Sequence, residues 1–169
     1  MDIAELLIES HGRVGGVLHR AVGGLDVAQL TWRADPDANT IAWLAWHAAR
    51  GEDAQVADVA GREQVWTTLG WAGRFALPFD DHASGYGQSS DEVGQVRVSA
   101  ELLLGYYDAT AEATKAFLGG LRADDLDRVV DEGWDPPVTL GVRLVSIIDD
   151  SLQHAGQASY VRGLMERAT

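Results

Sequence analysis

The chain of 169 residues contains no cysteine. Disulfides, zinc–thiolate sites and an internal thiol nucleophile are therefore excluded. Lysine is almost absent as well. Lys115 is the single lysine among 13 basic residues, which face 26 acidic ones for a formal net charge of -13. Nucleic acid and anionic membrane surfaces both call for basic patches, so neither is expected as a partner. No apolar run reaches the roughly 18 residues of a membrane span. The opening MDIAELLIES carries acid where a secretory signal carries base. A cytoplasmic protein is the expectation. Arginine in place of lysine, with abundant Ala, Gly and Val, is the composition of a GC-rich bacterial genome.

What is present is a core-forming pattern. Hydrophobic residues make up 46% of the chain, enough for one domain spanning residues 1–169. Ile3, Leu7, Val14, Val17, Leu18 and Ala21 recur at helical spacing, with Asp2 as the cap and Gly23–Gly24 as the stop. RADPDANT reads as a loop, and Asn39 or Thr40 caps a second helix that runs to Ala60 before Gly61. This helix is apolar almost all round from Ile41 to Ala49, as expected of an element buried on several sides. A third helix is expected over 99–118 and a last one from Thr139 to Arg167, with a short strand at 127–131 between them. Residues 61–98 show no sustained period, yet they contain Trp66, Trp71, Phe75 and Phe79. They read as a long ordered loop with a helical turn or two, packed on the bundle as a lid. Four long helices make an all-α bundle, and the long connections argue against simple up-down-up-down order.

The polar residues inside apolar helices carry the chemistry. On the last helix the wheel places Leu144, Ile148, Leu152, Ala155 and Ser159 on one face. Arg143, Asp150, His154 and Gln157 cluster on a separate flank. Asp150 and His154 are one turn apart, so both can reach one cation, or they form only a local pair. His47 lies in the middle of the most apolar helix, with Trp43 on its face. It is a third ligand or a satisfied core histidine. Spacing by itself leaves these alternatives open.

WLAWHAARGED, followed about a hundred residues later by DDSLQHAGQASYVRG, resembles the DinB superfamily of four-helix-bundle metalloproteins. The likeness is to its actinobacterial branch related to mycothiol-dependent transferases. His47 and Glu52 match that family's histidine and glutamate, and His154 with Gly156–Gln157 matches the end of its His-x-x-x-His segment. Asp150 stands where the family has the first histidine of that pair. The resemblance implies an up-down-down-up bundle, often a homodimer, holding a divalent metal on His47, Asp150 and His154. Zinc is the expected ion, with nickel or iron as alternatives. It also implies a metal-dependent S-transferase joining a small-molecule thiol, such as mycothiol, to an electrophile. Arg143, Gln157 and Trp43 are the expected supporting or substrate-binding residues. The rival reading is a non-catalytic bundle that binds a small apolar ligand or a partner chain, with a vestigial or structural metal site.

Other residues carry narrower expectations. Glu52 is about 140° round its helix from His47 and is expected to pair with Arg50 or Arg162 rather than to ligate. His11 is assigned a surface or packing role and His19 to solvent. His82 and Tyr86 are candidates for substrate contact, and Trp71 joins Trp43 as a candidate pocket wall. Gly156 and Gly163 are expected to permit a close helix crossing.

Overall fold

Asp2 stands in extended backbone, its carboxylate accepting from the Glu5 amide while the Glu5 side chain accepts from the Asp2 amide. This reciprocal cap starts α1 (Ile3–Val22) where the sequence pattern places it. The structure, a computed structural model, describes residues 1–168. After the short α2 (Val27–Leu30), the Thr40 hydroxyl accepts from Trp43 and opens α3 (Ile41–Ala60). Gly61 ends α3 in the left-handed region, at φ 64. Three short helices follow: α4 (Val65–Thr68), α5 (Trp71–Phe75) and α6 (Ser90–Val93). Ser99 caps α7 (Ala100–Leu118). A 3-10 turn at Ala123–Asp127 leads to β1 (Val129–Asp131), which pairs antiparallel with β2 (Val138–Thr139). The chain ends with α8 (Leu140–Ala168). Among the described residues, no helix is long and apolar enough to cross a membrane.

Cross-helix contacts set the directions of the four long helices. Arg162 of α8 donates to the carbonyls of Arg20 and Gly23 at the end of α1, and Leu7 shares a cluster with Leu140 and Leu144. α1 and α8 are thus parallel. His47 meets His154, and Val56 and Val59 meet Leu140, so α3 runs against α8. His19 reaches Asp108 while Leu7 packs in the cluster of Leu118, so α7 runs against α1. The bundle is up-down-down-up. Its main core holds Val14, Leu18, Leu44, Leu103 and Met165, and the smaller one gathers around Leu140 and Leu144.

The buried face of α8 differs from the expected one. Leu140, Leu144, Ile147, Ser151, Ala155, Ala158, Val161 and Met165 are buried, whereas Leu152 is 45% exposed and Ser159 is exposed. α8 packs against α1 and α3 together, so its covered arc is centred on Ile147 and Ser151 and not on Ile148. Asp150 and His154 fall at the edge of that arc.

Residues 61–98 form three short helices, one more than the upper expectation, and they are stitched to α3 and α7. Asp53 accepts from the amides of Val65 and Trp66 at 2.9 and 2.8 Å, and from the Tyr106 hydroxyl at 2.9 Å. Arg50 donates to the carbonyls of Ala83 and Asp81, to Gln64 and to the Tyr106 oxygen. Trp66, Trp71 and Phe75 surround the Tyr106 ring with centroids 4.9 to 5.8 Å away. A Cβ on Gly105 would lie 3.0 Å from the Trp71 ring, so the bare backbone there lets the indole in. Burial first of all pushes the Tyr106 phenol far above its ordinary range, keeping it protonated as a donor to Asp53.

Tyr106→Phe removes one buried hydroxyl and leaves Asp53 and Arg50 each short of a partner. The expected loss of stability is about 1–3 kcal/mol. It is read as a lower urea midpoint of the helical circular-dichroism signal, and an unchanged midpoint would contradict this role.

Candidate metal centre

The antiparallel pairing of α3 and α8 sets His47 opposite Asp150 and His154, and one ligand atom from each lies within 4.8 Å of the others. All three are partly buried. His154 Nε2 is 3.3 Å from Asp150 Oδ1. The two imidazoles stand nearly perpendicular, their centroids 4.6 Å apart. Trp43, one turn before His47 on α3, stacks on its ring at 4.6 Å and meets His154 edge-on at 6.2 Å. Its indole N–H donates to Gln88 at 2.7 Å.

The backbone of the long connection sets the tautomer of His47. His47 Nδ1 is 2.5 Å from the Ser84 carbonyl, an acceptor only, so Nδ1 carries the proton and Nε2 keeps its lone pair. That approach requires Gly85. Its φ is +98, and a Cβ there would lie 2.7 Å from His47 Nδ1 and 3.1 Å from the rings of Trp43 and Trp46. His154 Nδ1 lies 3.4 Å from Gln157 Oε1, which orients that ring from the next turn of α8.

The three groups titrate against one another. Burial lowers the His47 pKa despite the opposing Ser84 hydrogen bond. The hydrogen bond from His154 lowers the Asp150 pKa, and the same bond raises that of His154. Without a cation, His154 thus holds its Nε2 proton against the carboxylate. A divalent ion that displaced this proton would meet two imidazole nitrogens and a carboxylate, a donor set that suits zinc, iron or nickel. A cleft of about 280 Å³ opens beside the group, walled by Gly51, Ala54, Gln55 and Ser84, with Tyr86 94% exposed at its mouth.

The other expected residues divide. Trp43 and Gln157 adjoin the three. Arg143 does not, because it lies two turns before Asp150 and is taken by Asp131 of β1 at 2.9 Å. It touches the cleft only through Gln55, 3.5 Å away. Glu52 pairs with neither arginine. Arg50 is committed to the 61–98 segment, and Arg162 to Glu166 and the end of α1. Glu52 faces His11 in the bundle interior instead, and His11 is buried there. His19 is half-exposed and bonded to Asp108. His82 is exposed and does not line the cleft. Trp71 packs with Phe75 and Tyr106, away from the cleft. No close helix crossing occurs at Gly156, which faces open space, or at Gly163, whose neighbour is the tip of Arg167. Ser84 and Gly85 are the participants that residue-type reasoning missed. The one signal for them is SGYG, a glycine pair in an aromatic-rich segment, which marks a close backbone approach.

Fold and site define a four-helix-bundle protein with a candidate two-histidine, one-carboxylate metal centre. The profile of a family described as "Mycothiol-S-transferase" matches residues 13–167. The chain belongs to this DinB-like family. Among solved structures it is similar to one titled "Crystal structure of the conserved protein of locus from Enterococcus faecalis". The identity is 32%, the match covers 99% of each chain and the TM-score is 0.92. No curated protein matches.

In metal-free protein, nitrogen-detected NMR titration should find His154 losing its proton at higher pH than His47. Asp150→Asn should lower the His154 midpoint, because the charge that holds the proton is gone. The reverse order for the two histidines would contradict the arrangement.

Proposed function

We propose that the chain is a divalent-metal-dependent S-transferase. It would join a low-molecular-weight thiol, mycothiol in this family's description, to an electrophilic co-substrate in the cytoplasm. The carrying observation is the meeting of His47, Asp150 and His154 beside an open cleft in a chain of this family. His47 Nε2, His154 Nε2 and an Asp150 oxygen would hold the ion, and zinc is the ion we propose. When bound, such an ion supplies Lewis acidity that lowers the pKa of a thiol and delivers thiolate at neutral pH.

The protein's own contribution is positioning. Ser84 keeps the proton on His47 Nδ1, and the Trp43 face holds the ring in plane. Gly51 and Ala54 leave the cleft open beside Asp150, and the Gln55 amide, steadied by Arg143, offers the wall a polar contact for a thiol's carrier group. Since the chain has no cysteine, the nucleophilic sulfur must come from outside. Asp150 in place of an imidazole adds a negative charge, which would offset one of the cation's two charges.

Asp150→Ala should lose metal, measured by elemental analysis of untagged protein, while its helical signal persists because apolar burial carries the fold. Asp150→His should retain or strengthen zinc binding, since imidazole suits that ion. Thiol consumption with an alkylating electrophile should follow metal content across the pair. Full occupancy in Asp150→Ala would remove Asp150 from the site. A second test probes the support of His47. Gly85→Ala forces the Ser84 carbonyl from Nδ1 and should weaken zinc binding about 10–100-fold, the usual effect of losing such a partner.

A further inference from the structure

A second group of polar side chains lies inside the bundle, and the centre described above does not use it. His11 of α1, Glu52 of α3, Thr110 of α7 and Ser151 of α8 are 6%, 1%, 0% and 1% exposed. Neither ring nitrogen of His11, neither carboxylate oxygen of Glu52 and neither hydroxyl oxygen has a hydrogen-bond partner.

Helix register brings the four to one level. The contact of Arg162 with Arg20 and Gly23 aligns Ser151 with His11 across the parallel pair α1 and α8. Gly15 rests against the Tyr107 ring, which sets the next turn of α7, with Thr110, beside His11. Gly51 faces Asp150, so Glu52, one residue on, turns to the inner side of α3. There Glu52 Oε1 lies 3.8 Å from His11 Nδ1. Burial, and next the Glu52 charge, raise the neighbouring Tyr107 phenol, as expected where a carboxylate sits in a dry interior.

A buried carboxylate costs several kcal/mol unless it is paired and hydrogen-bonded. Among the described residues no arginine or lysine pairs with Glu52, and His11 stands beyond hydrogen-bond distance. Two donors bound to one ion at about 2.1 Å each are at most ~4.2 Å apart, so 3.8 Å suits a shared ion. A cleft of about 310 Å³ between α1 and α7 has His11 in its lining, together with Glu9, Glu112 and Lys115.

We infer that His11 and Glu52 form an interior divalent-cation site, with the hydroxyls of Ser151 and Thr110 as further oxygen donors. The site is independent of the centre at His47, which lies on the other side of α3. Imidazole with carboxylate and hydroxyl oxygens selects a first-row ion such as zinc over calcium or magnesium.

Metal-stripped full-length protein titrated with zinc against a chromophoric chelator tests the inference. Wild type should bind two ions per chain, and His47→Ala and Glu52→Gln should bind one each. If the His47 centre binds nothing, one ion retained in His47→Ala and lost in Glu52→Gln still supports the interior site and sinks only the proposed function. Zinc binding unaltered by Glu52→Gln overturns the inference, and a water-bridged or protonated His11–Glu52 pair then stands in its place. Should Glu52→Gln fail to fold, a zinc-edge anomalous map of wild-type crystals decides. A peak between His11 and Glu52 is expected, and no peak there overturns the site.

Discussion

Arg50 and Asp53 are fully buried charges in the middle of α3, and they are tolerated because nearly every donor and acceptor on them is used. Their mutual distance of 3.9 Å is only the smaller part of this balance. The larger part is the backbone of the 61–98 connection, which supplies two carbonyls to the guanidinium and two amides to the carboxylate. A buried ion pair of this kind contributes little net stability, since desolvation offsets much of its attraction. Its effect is specificity. The connection can take one course only, because any other would strand two charges in a dry interior.

That course runs through the candidate metal centre. Arg50 holds the carbonyls of Asp81 and Ala83, and the next carbonyl, Ser84, accepts the hydrogen bond from His47 Nδ1. Trp43 continues the line, with its face on His47 and its N–H on Gln88. Three successive turns of α3 thus grip one strand of loop. The imidazole orientation depends on a charge network that touches no ligand. α8 contributes differently. Asp150 and His154 need only their own helix to be one turn apart, with Gln157 one turn further to hold the second ring.

The two sides of α3 do separate things. One side meets α8 at a flank where solvent enters a cleft, and an ion held there would have room for an outside ligand. The other side turns Glu52 inward among helices, where the donors are enclosed. In four-helix bundles such inward-facing positions are where metal and cofactor sites are commonly built.

Helix ends, the apolar character of α3 and the stacking of Asp150 on His154 were legible in the sequence alone. Each depends on residues within four positions of one another: Asp2 with Glu5, Thr40 with Trp43, Gly61 with the last turn of α3. His47 came into view with them only through a motif shared with a family, because no local rule joins residues a hundred positions apart. Tertiary structure decided the rest. It rotated the covered arc of α8 toward Ile147, assigned Arg143 to Asp131, left Glu52 facing His11 and brought Ser84 to His47. A buried polar atom bonds to whatever chain passes beside it. Which chain passes is set by how distant segments pack, and local spacing carries no record of that.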